Sequence, residues 1–212
     1  MSDKSNLKTY TISIKNHPNL VLPKLGDELA SGYDVVSISD PEIVGEEILP
    51  GVYKNISYIQ YRTGIYLNLT QKEEVVDFEL DYGEYAKISM INEALENKIV
   101  IDSHLQCFVY PRSSITKYNL MLKNGIGTID CSYRGEILLR YHYLVQMEDF
   151  IPFDLDKSPC FGARVNYDKI YKKGDKCAQL IFSEISPRIK FNVVEDLGET
   201  SRGANGFGST GS

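Results

Sequence analysis

Ile137-Leu138-Leu139-Arg140-Tyr141-His142-Tyr143-Leu144-Val145, together with the shorter run Cys177-Ala178-Gln179-Leu180-Ile181-Phe182, decides the fold class. Each is almost continuously apolar or aromatic over the length of one strand, and reads as a strand covered on both faces. Outward from them the pattern changes to strict alternation. Tyr10, Ile12 and Ile14 alternate with polar residues, as do Ile65, Leu67 and Leu69, and Ile189, Phe191 and Val193, so each predicts a half-buried strand. Fifteen tyrosines and many isoleucines favour strands throughout. Only Ile88 to Lys98, with Ile88, Ile91 and Leu95 at helical spacing among good helix formers, predicts a short helix. Short strands separated by Gly, Asn, Asp and Pro predict an all-β sandwich or jelly roll.

At 212 residues and 42% apolar content the chain can bury a core without disulfides or structural metal, and one domain with insertions suffices. The net charge of −6, with both signs mixed along the chain, argues against a broad nucleic-acid-binding surface, so a polyanionic ligand has to be handled locally. Cys107, Cys131, Cys160 and Cys177 form no C-x-x-C pair, and no signal-peptide pattern opens the sequence. A reduced cytoplasmic setting is expected, with the thiols as small core residues. No apolar run approaches the roughly 20 residues of a membrane span.

Leu197 to Ser212 contains five glycines and one aromatic, Phe207, and cannot offset its own ordering entropy by burying apolar surface. Residues 1–196 are therefore read as the folded domain and 197–212 as a mobile arm that orders on a ligand or a neighbouring subunit.

Five segments carry chemistry. Ser31-Gly32-Tyr33-Asp34-Val35 is a glycine turn entering a strand, and its carboxylate suits either an Asx-type turn or the waters of a hard cation. In Pro111-Arg112-Ser113-Ser114-Ile115 a guanidinium fork stands beside two hydroxyls, a donor set for phosphate oxygens, or else a plain helix cap beside a solvated arginine. Asn124-Gly125 predicts a hairpin whose edge, Gly127-Thr128-Ile129, can read a base by its donor and acceptor pattern. Asp130 then follows at the strand end with Tyr133 three residues on: a carboxylate that can take a proton from water and a ring that can lie under a sugar, or a turn cap and a core filler. Gln179 is an amide in an apolar run and needs partners, whether phosphate or backbone. In the arm, Arg202, Phe207, Gly208, Ser209 and Thr210 combine charge, hydroxyls, a stacking ring and anion-wrapping backbone.

The order of these segments, above all Ile129-Asp130-x-x-Tyr133-Arg134-Gly135-Glu136 and the tail from Arg202 to Gly211, resembles the trimeric deoxyuridine triphosphatase (dUTPase) family over nearly the whole chain. The resemblance implies a jelly-roll-like β-barrel. It also implies hydrolysis of dUTP to dUMP and pyrophosphate with Mg²⁺, which lowers dUTP and supplies dUMP for thymidylate synthesis. By position, Asp130 matches the carboxylate that deprotonates the attacking water, and Tyr133 the ring packed under deoxyribose. Gly127, Thr128 and Ile129, supported by Asn124, match the uracil reader. Arg112, Ser113, Ser114 and Gln179 match phosphate contacts, and Asp34 the carboxylate holding a metal-bound water. Arg202, Gly208, Ser209 and Thr210 match γ-phosphate contacts, and Phe207 the lid over the base. The family assembles homotrimers whose sites draw residues from three chains.

This sequence departs from the family in two ways. Cys131 and Ser132 stand where a second acidic residue is common, so Asp130 is the sole candidate base of the turn. Lengths differ as well: 77 residues separate Asp34 from Arg112 and 38 separate Gly135 from Gly174. Surface insertions are expected at about 41–98, carrying the helix, and 145–172. Phage and viral members carry such elaborations, where an insertion can contact a regulatory protein partner. The nearest rival is a dCTP deaminase, which shares an arginine-serine motif but has a different hairpin and tail.

Overall fold

The computed structural model describes residues 10–70, 105–155, 158–185 and 191–193. In chain order the strands are β1 (Ser13–Ile14), β2 (Lys24–Leu25), β3 (Tyr33–Val36), β4 (Glu42–Leu49), β5 (Val52–Arg62), β6 (Leu67–Asn68), β7 (Leu105–Pro111), β8 (Leu120–Leu122), β9 (Gly127–Ile129), β10 (Leu138–Tyr143), β11 (Phe150–Leu155), β12 (Ser158–Ala163) and β13 (Lys176–Glu184). The only helical pieces among the described residues are short 3-10 turns.

Two sheets share one core. The first runs β11-β12-β5-β10-β8 with β4 also on β5, and the second runs β2-β3-β13-β7-β9. β10 shows why alternate residues face inward: Leu139, Tyr141 and Tyr143 are buried while Leu138, Arg140 and His142 are exposed. The strand is thus covered on one face, not both as its apolar run predicts, because the tyrosine rings and not the whole run form the inner layer. Cys177, Ala178 and Leu180 of β13 meet that layer from the other sheet. Two of the buried tyrosine hydroxyls find acceptors there, Tyr61 on the Tyr171 carbonyl (3.0 Å) and Tyr141 on the Cys177 carbonyl (2.7 Å). The expected all-β, jelly-roll-like architecture is what folds. Among the described residues its sheets stay open and do not close into a barrel.

Other expectations need correction or bounding. The stretch 41–98 is not a surface addition where it is described: β5 lies inside the first sheet, and Ile59, Tyr61, Ile65, Leu67 and Leu69 belong to the core. At the edges of the described segments the Leu105 N–H donates to the Leu69 carbonyl at 3.2 Å. The stretch 145–172 divides. Its β11–β12 hairpin borders the sheet with Phe150 and Phe161 exposed, but Val165, Ile170 and Tyr171 are core. Phe191 and Val193 are exposed and outside any strand, since alternation creates a strand only where a facing layer exists to bury it. Asn124-Gly125 does form a turn, with Gly125 at φ +66°, but not a paired hairpin: β8 bonds to β10 and β9 to β7. The expected helix at 88–98 and the arm 197–212 lie outside the described residues.

Candidate functional site

The Asn124-Gly125 turn passes from one sheet to the other and so joins two edge strands, β8 and β9, that do not bond to each other. A cavity of about 240 Å³ opens there, lined among others by Asn124, Gly127, Thr128, Ile129, Ile137 and Leu139. β8 and β9 are each the last strand of their sheet among the described residues, so backbone donors and acceptors border the cavity. Gly127 keeps the wall thin: a Cβ there would stand 3.1 Å from Asn124 Nδ2 and 3.2 Å from Val109 Cβ. A flat heterocycle with alternating donors and acceptors suits such a cleft.

Asp130 is exposed at the end of β9, next to the cavity wall. The chain then turns tightly, with the Tyr133 N–H on the Asp130 carbonyl at 3.0 Å. Tyr133 is 44% exposed, its hydroxyl donates to the Glu136 carbonyl at 2.9 Å, and its ring occupies the space a side chain at position 135 would need. Glycine at 135 therefore sets the ring's position. Glu136 anchors the far end of this loop. Its carboxylate accepts from Arg62 Nε (3.1 Å) and Nη2 (2.8 Å) and from the N–H groups of Thr63 (3.2 Å) and Gly64 (2.9 Å). Burial alone would raise its pKa, but the hydrogen bonds from Arg62 and the two backbone donors outweigh it and hold the carboxyl below its usual range.

A second cluster gathers on β3, β13 and β7. Register places Gln179 opposite Asp34 on one side and Tyr110 on the other, with Ala178 opposite Pro111. Asp34 is buried, and its two oxygens accept from Arg112 Nε and Lys176 Nζ, each at 2.8 Å. Arg112 is thereby held at one fixed angle. Ser113 and Ser114 open a five-residue 3-10 turn, Ser113–Lys117, in which neither serine is the cap: that position is Arg112, whose side chain makes no capping bond. Gln179 Nε2 reaches the Pro111 carbonyl at 3.5 Å, and Gly32 leaves room for its amide.

The two clusters do not meet within one chain. Antiparallel pairing sets Ile129 against Cys107 and Gly127 against Val109, so Asp130 comes level with Gln106 near the start of β7, whereas Arg112 follows its end. Six residues at about 3.3 Å each put roughly 20 Å between the two positions along the strand.

Sequence reasoning missed Lys176, the Arg62–Glu136 clamp and Asn68, which binds Arg134. Lys176 stands just before the apolar run that carries Gln179, and only strand pairing brings it to Asp34. Arg202, Phe207, Gly208, Ser209 and Thr210 lie outside the described residues. Among the described residues no group of three or more His, Cys, Asp or Glu is placed to hold a metal, no helix is long and apolar enough to cross a membrane, and the cysteines are free. Burial pushes the Cys107 and Cys177 thiols up to about 12, as expected of inert core residues.

The family model described as dUTPase matches residues 163–211. The deoxyuridine 5'-triphosphate nucleotidohydrolase of Desulfitobacterium hafniense is 38% identical over 105 residues, 49% of this chain and 56% of that protein. The chain spans about half the length of the curated relatives it matches. Among solved structures, Staphylococcus bacteriophage 80alpha dUTPase with dUPNHPP superposes with a TM-score of 0.58 at 17% identity, covering 96% of this chain and 100% of that one. A mutant dUTPase from phage phi11 of S. aureus, described with a structural Mg(II) ion, gives a TM-score of 0.50 at 15% identity over 89% and 99% of the two chains.

Proposed function

We propose that the chain is a dUTPase-family enzyme that hydrolyses dUTP to dUMP and pyrophosphate. The observation carrying this reading is the cavity between β8 and β9, with Asp130 and Tyr133 at the end of the same strand that forms its wall. In the proposed complex the backbone of Gly127, Thr128 and Ile129 reads uracil, with Asn124 behind it. Tyr133 lies under the deoxyribose and leaves no room for a 2′-hydroxyl. Asp130 takes a proton from a water whose oxygen attacks the α-phosphorus. The bond from that phosphorus to the bridging oxygen breaks, and pyrophosphate leaves. Positioning and charge neutralisation carry most of such catalysis.

Arg112, Ser113, Ser114 and Gln179 bind phosphate oxygens in this reading. Arg202, Gly208, Ser209 and Thr210 of the arm hold the γ-phosphate, and Phe207 covers the base and excludes bulk water. Since one chain keeps Asp130 and Arg112 far apart, a complete site takes them from different subunits, which is the support for a homotrimer. Mg²⁺ fits as a companion of the triphosphate. A carboxylate has about four lone-pair positions, so Asp34 can accept from a metal-bound water beyond its bonds to Arg112 and Lys176. When bound, the ion offsets phosphate repulsion that this acidic chain cannot neutralise alone.

Pyrophosphate release from dUTP, dTTP, UTP and dCTP, each with and without Mg²⁺, tests the reading. Release confined to dUTP and dependent on Mg²⁺ is expected; ammonia from dCTP, or equal rates with UTP, overturns it.

A further inference from the structure

Three side chains outside the catalytic set hold the loop that carries Asp130 and Tyr133. Glu136 fixes its C-terminal end, through Arg62 and the backbone of Thr63 and Gly64. Arg134 reaches back across the loop: its Nη1 donates to the carbonyls of Cys131 (2.5 Å) and Tyr133 (2.9 Å), closing the turn from outside. Its Nη2 donates to Asn68 Oδ1 at 2.8 Å. Asn68 belongs to a different part of the fold. It lies on β6, paired with Ser13 of β1, and its Oδ1 also accepts from the Thr70 N–H at 3.2 Å. The neighbours Leu67 and Leu69 are buried, so Asn68 rests on a strand that the core holds in place. Of the contacts that Arg134 makes, the one to Asn68 joins the loop to the packed body of the fold.

We propose that Asn68 is a positioning residue for hydrolysis: by anchoring Arg134 it sets where the Asp130 carboxylate and the Tyr133 ring stand relative to the cavity. The inference rests on the proposed dUTP hydrolysis and deepens it. Two carbonyls of a tight turn cannot be held in place by a guanidinium that is itself loose, because an unanchored arginine gives up rotamer freedom each time it binds. Asn68 supplies that order beforehand. Its position also explains why it acts on turnover and not on base recognition. The uracil-reading backbone, Gly127 to Ile129, is bonded to β7 independently of Asn68, whereas Asp130 lies just beyond the last paired residue.

The test compares wild type, Asn68→Ala, Asn68→Asp and Arg134→Gln in the full-length chain. The readouts are kcat and KM for dUTP, the Kd of a non-hydrolysable dUTP analogue, and the thermal unfolding midpoint. Misplacing a catalytic group by about 1 Å costs on the order of 100-fold in rate. Asn68→Ala and Arg134→Gln are therefore expected to lose roughly 10- to 100-fold in kcat with analogue binding within about threefold of wild type. Asn68→Asp keeps an acceptor for Arg134 and is expected to recover most of that loss. A structural role alone would lower the unfolding midpoint of Asn68→Ala and leave kcat per folded chain unchanged, and that result overturns the proposal. So does failure of Asn68→Asp to recover kcat when it folds like wild type. Should Asn68→Ala not fold, exposed Arg134→Gln decides alone, with wild-type kcat overturning the proposal. A wild-type chain that releases no pyrophosphate from dUTP overturns the function and this inference together; an active wild type with unaffected variants overturns the inference only.

Discussion

At the scale of single residues, the assignment depends on Asp130 and on the groups that hold its loop. Asp130→Asn keeps shape and hydrogen bonding but cannot take the proton from water, so kcat should fall by at least about 100-fold, the lower range for general base catalysis. Binding of a non-hydrolysable dUTP analogue should stay close to that of wild type, and isothermal titration checks it. Glu136 makes a separate prediction, about stability. Its folded pKa is lowered, so its contribution is fully present above the unfolded carboxyl pKa and is lost as pH falls through the folded value. Unfolding midpoints should therefore drop on the acid side, below the ordinary glutamate range. Glu136→Gln should flatten that acid limb and cost roughly 1–3 kcal/mol at neutral pH, because the Thr63 and Gly64 N–H groups lose a charged acceptor. A pH series of denaturant titrations on both proteins reads the two effects.

At the scale of elements, the turn between β5 and β6 shows how sequence and packing combine. Gly64 has φ +66°, and a Cβ there would stand 2.9 Å from Ile38 Cδ1 and 3.1 Å from His17 Nδ1. The same turn receives the Glu136 carboxylate and, through the Thr63 hydroxyl on the Ile137 carbonyl (2.6 Å), the start of β10. Gly64→Ala should destabilise the fold by at least roughly 1–2 kcal/mol, measured by urea unfolding, since a left-handed conformation and a close contact are both penalised. The bulge between β4 and β5 follows the same logic: a Cβ on Gly45 would meet the Asn55 carbonyl at 2.2 Å. Neither role is visible in the sequence, where both glycines look like ordinary strand punctuation. Similarly, the length between Asp34 and Arg112 is legible, but which part of it is added is not. β5, within the stretch expected to be added, is a central strand of the first sheet.

At the scale of the whole molecule, the separation of Asp130 from Arg112 along β7 predicts complementation. Asp130→Asn and Arg112→Ala chains, each inactive alone, should regain about a quarter of the wild-type rate when unfolded together in equal amounts and refolded into mixed oligomers. Random assembly gives that share of sites an intact Asp130 from one chain and an intact Arg112 from another. No recovery in a mixture that assembles like wild type would mean that each site takes both residues from the same chain. By itself the sequence determined the β class, because periodicity of two and short apolar runs follow from the pleat, and it singled out Asp130, Tyr133 and Arg112 as candidates, because their side chains carry the groups that the proposed reaction uses. Tertiary structure alone decided which strands pair across the Asn124-Gly125 turn, that Asp34 and Lys176 meet, and that Asn68 holds Arg134. Those contacts join residues tens of positions apart, and hydrogen-bond register between distant strands leaves no local mark in the order of amino acids.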